Sequence, residues 1–592
     1  MCGITGVVSL VSNSDEVALN SLKALEYRGY DSFGFLNDCD TLPSKYIGAI
    51  SKTNYQESTD KNSKVTIAHT RWATHGVVNI ENTHPHVSMN GDFAIVHNGV
   101  ISNYIELKKM LLNEGYSFYG TTDTEVIVNL IEHLYNMYKY FEDKKCDFIK
   151  VLKLFKGLVR GEFAICIYSK KHFKDSLYAM RHKSPLVVSC SEDLGMVASD
   201  PIAFSSHSNT YLDVADGEFV KISRTDTEVE LKVFDSEFNH VFMDSRYLKV
   251  KAEKEEDSLR HFPNYMWKEM YEIPKALRSV CDLDLKWIKS ELQDKSIMLT
   301  GCGSAYYVAE MGLYLRQMVD SKSQTHCIQA DEIEHKANLK VLETLVCISQ
   351  SGETFDTLEP AKEVLQQGNT VVGVTNVGHS TLAKISTHSI IQNAGTERCV
   401  LSTKSIVSQF GILYRLFVKE DRLSELPRVW GDTFTSKILH SLETYASIYK
   451  DTDHFFHIGR GIYYPIALEN ALKLKEVTYC HAEGMGAGFF KHGTLSLIDD
   501  RFLVFAHLPS PETDRELYDL TQANISEIRS RKGRVITIGH DVSCDIELAH
   551  IDRYINPILH LGVGQYFAYY LAIVLGRNVD QPRSLAKSVT VR

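Results

Sequence analysis

The chain has 592 residues, 44% hydrophobic and 23% charged, so it exceeds a single core and contains enough apolar residues for several; three domains of about 150–240 residues are predicted. A formal net charge of −11 excludes a nucleic-acid binder working through overall charge. Twelve cysteines without a Cys-x-x-Cys pair exclude a zinc ribbon or a redox motif and predict reduced thiols in the cytoplasm.

The chain opens Met1-Cys2-Gly3. Trimming of Met1 would place a thiol and a free α-amine on one residue. That amine has a pKa of about 7.7–8.0, against about 10.4 for lysine, so Cys2 could carry its own general base. Residues 4–10 form a short apolar run, which predicts a strand seating Cys2 in a sheet. Residues 65–69, 93–97 and 163–168 read as further strands, with helical patterns at 103–114 and 124–138. The mixture predicts an α+β domain with antiparallel sheets over residues 1–240.

Polar residues gather in its loops. His69 to Gly76 (HTRWATHG) sets Arg71, Trp72, Thr74 and His75 just after a strand. His97-Asn98-Gly99 puts a side-chain amide beside a flexible backbone N–H, a donor pair that suits an oxyanion. Residues 121–125 open a helix, where Thr122 or Asp123 can act as N-cap. His84-Pro85-His86 supplies too few ligands for a metal site.

With Cys2, the strings MCGI, Tyr27-Arg28-Gly29-Tyr30-Asp31-Ser32, HTRWATHG, HNG and TDTE resemble the class II glutamine amidotransferase domain of the N-terminal nucleophile hydrolases. The resemblance implies an αββα fold in which Cys2 attacks the side-chain amide of L-glutamine and ammonia is released. Asn98 and the Gly99 N–H would form the oxyanion hole, Arg71 would hold the α-carboxylate and Asp123 the α-ammonium. Thr74 and His75 would line the pocket, and Arg28 would position the terminus.

A charge run at 249–260, with Pro263 and Pro274 beyond it, marks a linker over 241–283. Its aromatic stretch at 261–270 is expected to pack on a neighbour.

The remainder repeats itself. Gly301 and Gly459, Gly303 and Gly461, Tyr306 and Tyr464, and Ala309 and Ala467 each stand 158 positions apart. This indicates two copies, at 284–425 and 450–580, followed by a tail at 581–592. Strand signals at 297–301, 344–348, 370–375 and 387–392 alternate with helical ones at 356–367 and 405–419. The second copy has strand signals at 455–459, 502–507, 535–538 and 550–555. Alternation of this kind predicts two α/β doubly wound parallel sheets with ligands at the strands' C-terminal ends. Ser349-Gln350-Ser351-Gly352-Glu353-Thr354 follows a strand and opens a helix, offering hydroxyls and backbone N–H groups to an anion, provided Glu353 points away. Glu469, Lys473 and Glu476 share a helix face by spacing. The longest apolar stretch, at 566–575, is too short to span a bilayer.

The strings GCGS, SQSGET, NAGTE, STK, LKLKE, HAE, KHG and DQPRSLAKSVTV resemble paired sugar isomerase domains. Joined to the glutaminase, they are similar to the glutamine–fructose-6-phosphate aminotransferase (isomerizing) family across essentially the whole chain. The resemblance implies that Ser304, Ser349, Gln350, Ser351 and Thr354 hold the phosphate of fructose 6-phosphate, with backbone contacts from Val400 and Ala586. His492, from a neighbouring subunit, would open the ring, and Lys587 would form a Schiff base at C2. Glu476 would move the proton between C1 and C2, assisted by Glu469 and Lys473, and Trp72 would gate an ammonia channel. The same resemblance implies a homodimer or higher homo-oligomer, with no metal or other cofactor, no nucleic acid and no membrane. Ala305, Phe489, Thr494 and Arg592 depart from the family pattern. A purine-pathway amidotransferase and a sugar-phosphate sensor are the competing readings; the first lacks its phosphoribosyl fold in this sequence, and the second would need neither Cys2 nor Lys587.

Overall fold

The computed structural model describes every residue except 1, 12, 56–61, 74–75, 143–146, 244–245, 250–258, 260, 294, 339–341 and 590–592, together with the side chains of 141 and 142. Two compact units result, residues 1–256 with 588–592, and residues 257–587. Most of the charge run at 249–260 falls outside the described residues.

In the first unit, the strand Gly3–Ser9 is buried at every position because both its faces are covered. Ile4 and Val8 point between two sheets, and Val7 points the other way, against a helix layer. The first sheet has eight strands, and Gly3–Ser9 lies inside it between Leu194–Ala198 and Val65–Arg71, antiparallel to both. The second sheet has six strands and includes Ala94–Ile101 paired with Gly161–Tyr168. The helix Ser14–Ala24 covers one outer face, while Tyr104–Asn113, Asp123–Glu142 and Phe148–Leu158 cover the other. The layering is the expected αββα.

The second unit holds two parallel five-stranded sheets. One runs Thr325–Cys327, Ile297–Thr300, Thr344–Ser349, Thr370–Thr375, His388–Ile391, and the other His481–Gly486, His454–Gly459, Phe502–His507, Arg534–Gly539, Ile546–Glu547. In both, the second strand in chain order lies outside the first, the doubly wound order 2-1-3-4-5. Gly303 and Gly461 carry φ of +55° and +57°, so the repeat duplicates a turn conformation as well as a sequence pattern.

Two expectations need correction. Residues 550–555 form a turn: Asp552 Oδ1 accepts from the Tyr554 and Ile555 N–H groups at 2.8 and 3.0 Å, taking donors that a strand would offer a neighbour. The apolar stretch at 566–575 belongs to a longer helix, Pro557–Val574, whose 18 residues meet the length and composition of a membrane span. Its apolar window is 83% buried within the protein, which makes it a core helix.

Residues 261–281 are not a bare connection. The helices Tyr265–Tyr271 and Ile273–Cys281 bury Met266, Met270, Ile273, Leu277 and Val280 in the second unit's core. The Trp267 ring meets those of Tyr566, Tyr569 and Tyr570 at 5.7, 5.0 and 5.9 Å.

Candidate active site

In the first unit, Cys2 precedes the strand that pairs Gly3 with Thr70, so its thiol faces the chain just beyond Arg71. The Trp72 N–H donates to Cys2 Sγ at 3.2 Å, and the thiol donates back to the Trp72 carbonyl at 3.4 Å. A second loop braces this one. Gly29 lies so close that a Cβ there would stand 2.6 Å from the Arg71 carbonyl carbon, the Thr70 hydroxyl donates to the Gly29 carbonyl, and Asp31 accepts from the Ala73 N–H at 2.8 Å. Arg28 donates to the Cys2 carbonyl at 3.3 Å and pairs with Asp200 at 3.1 Å, which fits a positioning part.

Asn98 Nδ2 donates to the Cys2 carbonyl at 2.9 Å, leaving its second N–H unassigned by that bond. Gly99 has φ +122°, and a Cβ there would collide with the Glu162 carbonyl, so only glycine fits. Asp123, buried at the start of its helix, accepts from the Ile101 N–H at 2.9 Å. The N-cap is Thr122, which accepts from the Glu125 N–H at 3.3 Å. Enclosure raises the Cys2 thiol above its ordinary pKa, while the Trp72 N–H and the Arg71 charge pull it back. Burial likewise lowers Arg71, against the pull of Cys2, Asp31 and Asp123. Cys2, Arg71, Asn98, Gly99 and Asp123 are thus brought together around a thiol that needs a base. Thr74 and His75 lie outside the described residues.

His84 and His86 each meet a hydroxyl, their Nε2 atoms lying 3.4 and 3.2 Å from those of Thr124 and Thr122. No group of three or more metal-type side chains occurs among the described residues.

In the second unit, the strand Thr344–Ser349 runs into the loop ahead of the helix Phe355–Gln366. Ser349 Oγ accepts from the Gly352 N–H at 3.0 Å and lies 3.2 Å from the Thr354 hydroxyl, while Ser351 Oγ accepts from the Glu353 N–H at 3.1 Å. Glu353 turns away, its carboxylate taking the Thr381 N–H and hydroxyl at 2.7 and 2.8 Å. The Gln350 carbonyl accepts from the Asn376 N–H at 3.0 Å, which anchors the loop's base. What remains is a helix N-terminus lined by hydroxyls, with the loop's own carboxylate turned away and Asp356 in the helix's first turn, a setting for an anion.

In the second copy, the helix Tyr463–Thr478 carries the charged triad. Lys473 Nζ is 2.5 Å from Glu476 and 3.5 Å from Glu469, and both Lys473 and Glu469 are 1% exposed, so the shared face is an interior one. Burial pushes Glu469 up to about 7 against the attraction of Lys473, and Ser304 lies beside it. Burial also opposes the Lys473 charge, but Glu469 and Glu476 outweigh it and hold the ammonium above its usual value. The Lys587 side chain is 6% exposed and donates to Glu397 at 2.5 Å and to the Leu401 carbonyl at 3.3 Å. The Val400 N–H donates to the Asp580 carbonyl at 3.0 Å, tying the residue that leads into the tail to this loop, and Ala586 is half-buried just before Lys587. His492 is exposed on a short 3-10 turn, its ring 6.3 Å from that of Phe489. No hydrogen bond or ion pair joins it to Glu476, Lys473 or Lys587 among the described residues. Ala305 stands in the first turn of the helix Ser304–Val319, Phe489 is exposed and Thr494 half-buried, and Arg592 lies outside the described residues.

One chain therefore carries a thiol site in its first unit and a hydroxyl, carboxylate and lysine site in its second. The glutamine amidotransferase domain family matches residues 69–206, and the SIS domain family matches 292–419 and 448–556. Over its full length, and 100% of theirs, the chain is 32% identical to the glutamine–fructose-6-phosphate aminotransferase (isomerizing) of Methanococcus maripaludis and 35% identical to that of Aquifex aeolicus. The chain belongs to the glutamine–fructose-6-phosphate aminotransferase family. Among solved structures, the C-terminal domain of glucosamine-fructose-6-phosphate aminotransferase from Francisella tularensis aligns over 55% of this chain and 100% of its own, at 29% identity and a TM-score of 0.48.

Sequence reasoning in terms of this aminotransferase family left two carboxylates without a part. Glu397, which ends the NAGTE string, accepts from Lys587, from the Thr403 and Ser405 N–H groups at 2.9 and 3.0 Å, and from the Ser405 hydroxyl at 2.7 Å. Burial would raise it, but Lys587 and these donors hold it at about 2. Glu269 accepts from the Arg398 and Cys399 N–H groups at 2.5 and 3.0 Å, and burial together with the Glu397 charge pushes it up to about 8. The available signal was a glutamate in helical register with the buried Met266 and Ile273, a carboxylate on an apolar face.

Proposed function

We propose that the chain converts fructose 6-phosphate and L-glutamine to glucosamine 6-phosphate and glutamate, the entry reaction of amino-sugar synthesis. The observation that carries this reading is the pairing, in one full-length family match, of the Cys2 cluster with the Lys587 and Glu476 clusters. Cys2 Sγ attacks the side-chain carbonyl carbon of glutamine, and Asn98 and the Gly99 N–H receive the oxyanion. Ammonia leaves with a proton relayed from the thiol, and water then cleaves the thioester to glutamate. Arg71 pairs with the α-carboxylate of glutamine and Asp123 with its α-ammonium, while Thr74 and His75 line the same pocket.

At the sugar site, Ser304, Ser349, Gln350, Ser351 and Thr354 take the phosphate, with Val400 and Ala586 adding backbone contacts. His492 of a second copy opens the ring, a part consistent with its exposure, so the working form is at least a homodimer. Lys587 Nζ forms an imine at C2 with loss of water, and ammonia displaces the lysine. Glu476 removes a proton from C1 and returns one to C2, turning the ketose imine into the 2-amino aldose, with Glu469 and Lys473 setting its charge. Delivery of ammonia through a channel gated by Trp72 belongs to the same proposal, as do a division at residues 240, 283, 425 and 580 and a cytoplasmic location. The eleven described cysteines are all free thiols, in keeping with a reducing compartment.

Incubating the purified protein with glutamine and fructose 6-phosphate while following glutamate and glucosamine 6-phosphate tests the reading. Equal amounts of both products are expected; glutamate without amino sugar would refute it.

A further inference from the structure

We propose that His69 is a positioning residue for the glutaminase half, holding the Asn98 amide so that its N–H groups face Cys2. The inference rests on the reading of Asn98 as an oxyanion donor. His69 Nε2 lies 3.1 Å from the His97 carbonyl oxygen and 3.1 Å from Asn98 Oδ1. Both partners accept in this arrangement, so Nε2 carries the proton and the ring is the neutral Nε2–H tautomer.

That single proton decides which way the amide points. With Oδ1 fixed on His69, Nδ2 is directed to the Cys2 carbonyl at 2.9 Å. A flipped amide would set Nδ2–H against Nε2–H, and Oδ1 against a carbonyl oxygen, losing both bonds at once. His69 is held in its turn: it is 0% exposed, and its ring stacks on that of His84 with centroids 4.0 Å apart and planes at 12°. Burial lowers its pKa to about 3, so the ring stays neutral throughout the working pH range and the amide orientation does not switch. His69 faces Ile4 in the strand register, and residues two apart on a strand share a face, so one face of Val65–Arg71 presents both His69 and Arg71. The strand thus supports Asn98 through one side chain and the substrate carboxylate through the other.

A double-mutant cycle on the full-length protein tests this, using glutaminase kcat and KM, inhibition by a glutamine analogue bearing a γ-aldehyde, and binding of glutamate. The aldehyde forms a tetrahedral adduct with the thiol and so reports the oxyanion site, whereas glutamate binding does not depend on an oxyanion. His69→Leu is expected to lower kcat roughly 100-fold, with KM and glutamate affinity within about twofold and aldehyde affinity falling in step with kcat. His69→Gln, whose amide can donate to the same acceptors, is expected to recover about tenfold or more of that loss. In an Asn98→Ala background, His69→Leu should have no further effect on kcat. A His69→Leu loss that persists undiminished in that background, or that strikes glutamate and aldehyde binding equally, would overturn the proposal. If His69→Leu does not fold, a His69→Gln kcat more than tenfold below that of the parent overturns it. If Asn98→Ala itself keeps the parental kcat, the oxyanion reading fails, which is a separate result.

Discussion

The two copies in the second unit share a strand order and a glycine turn, yet one ends as an anion cradle and the other as a filled core. Where the third strand of the first copy stops, Ser349, Ser351 and Thr354 offer hydroxyls at a helix N-terminus. At the same point of the second copy, His507 is followed by Leu508-Pro509-Ser510-Pro511, and the helix Arg515–Arg529 begins behind Asp514, which is paired with Arg553 at 2.9 Å. Beneath that loop runs a file of imidazoles. His457 meets His507, His507 meets His560 and His560 meets His540, each at 3.2 Å, and His540 ends the file on the Ala549 carbonyl at 2.8 Å. A carbonyl only accepts, so His540 donates to it, and each ring along the file is held as a neutral tautomer. Duplication has kept the backbone, while a few side chains set the two strand ends apart.

The largest effect should come from the second copy's Glu476, the proton carrier of the proposed reaction. Glu476→Gln is expected to lower glucosamine 6-phosphate formation roughly 10²–10⁴-fold while leaving Cys2-dependent glutamine hydrolysis within about twofold, as measured by parallel product assays. Two glycine substitutions, one in each copy, follow. Gly352 has φ +66° and a Cβ there would run into Ser380 Oγ, so Gly352→Ala should raise the KM for fructose 6-phosphate about tenfold or more. Gly461, at φ +57° with Leu517 as its nearest neighbour at 3.3 Å, should cost about 1 kcal/mol of stability as alanine, with KM unmoved. Equal KM changes for the two would break the comparison.

Acid should separate the copies next. The histidines of the file have folded-state pKa values pushed below the ordinary value by burial, to about 3 for His507 and about 4 for His540. Stability is therefore whole above about pH 6.5 and is lost as pH falls toward those values, by about 1.4 kcal/mol per pH unit for each such histidine. Hydrogen exchange at pH 7.5 and 5.5 should show the second copy opening first, since the first has no fully buried histidine among the described residues. The smallest effect is Ala305→Ser, which adds a hydroxyl in the first turn of Ser304–Val319; one added neutral hydrogen bond should lower the fructose 6-phosphate KM about two- to fivefold.

Features carried by local pattern were legible beforehand. The 158-residue offset reveals the duplication because Gly303 and Gly461 answer to one turn geometry, and the run after Cys2 reads as a strand because both its faces are covered. Contacts between distant residues were illegible. The bond from His69 to Asn98 spans 29 residues and that from Lys587 to Glu397 spans 190, and no periodicity encodes either. Residues 550–555 misled because Asp552 satisfies backbone donors through its side chain, which hydropathy does not register. Glu469, Lys473 and Glu476 carry the spacing of a solvated face, and only the packing around the helix makes it an interior one.

The helix Pro557–Val574 has a consequence for how the protein is made. It packs against Tyr463–Thr478, Ser436–Ile448, Lys404–Phe417 and Tyr265–Tyr271, elements drawn from nearly the whole length of the second unit. A ribosome releases it last among the unit's long helices, so the apolar faces awaiting it stay uncovered until more than three hundred residues of that unit have been synthesised. The second unit therefore cannot complete its core before that helix has emerged, and through that interval its uncovered apolar faces are of the kind that chaperones shield.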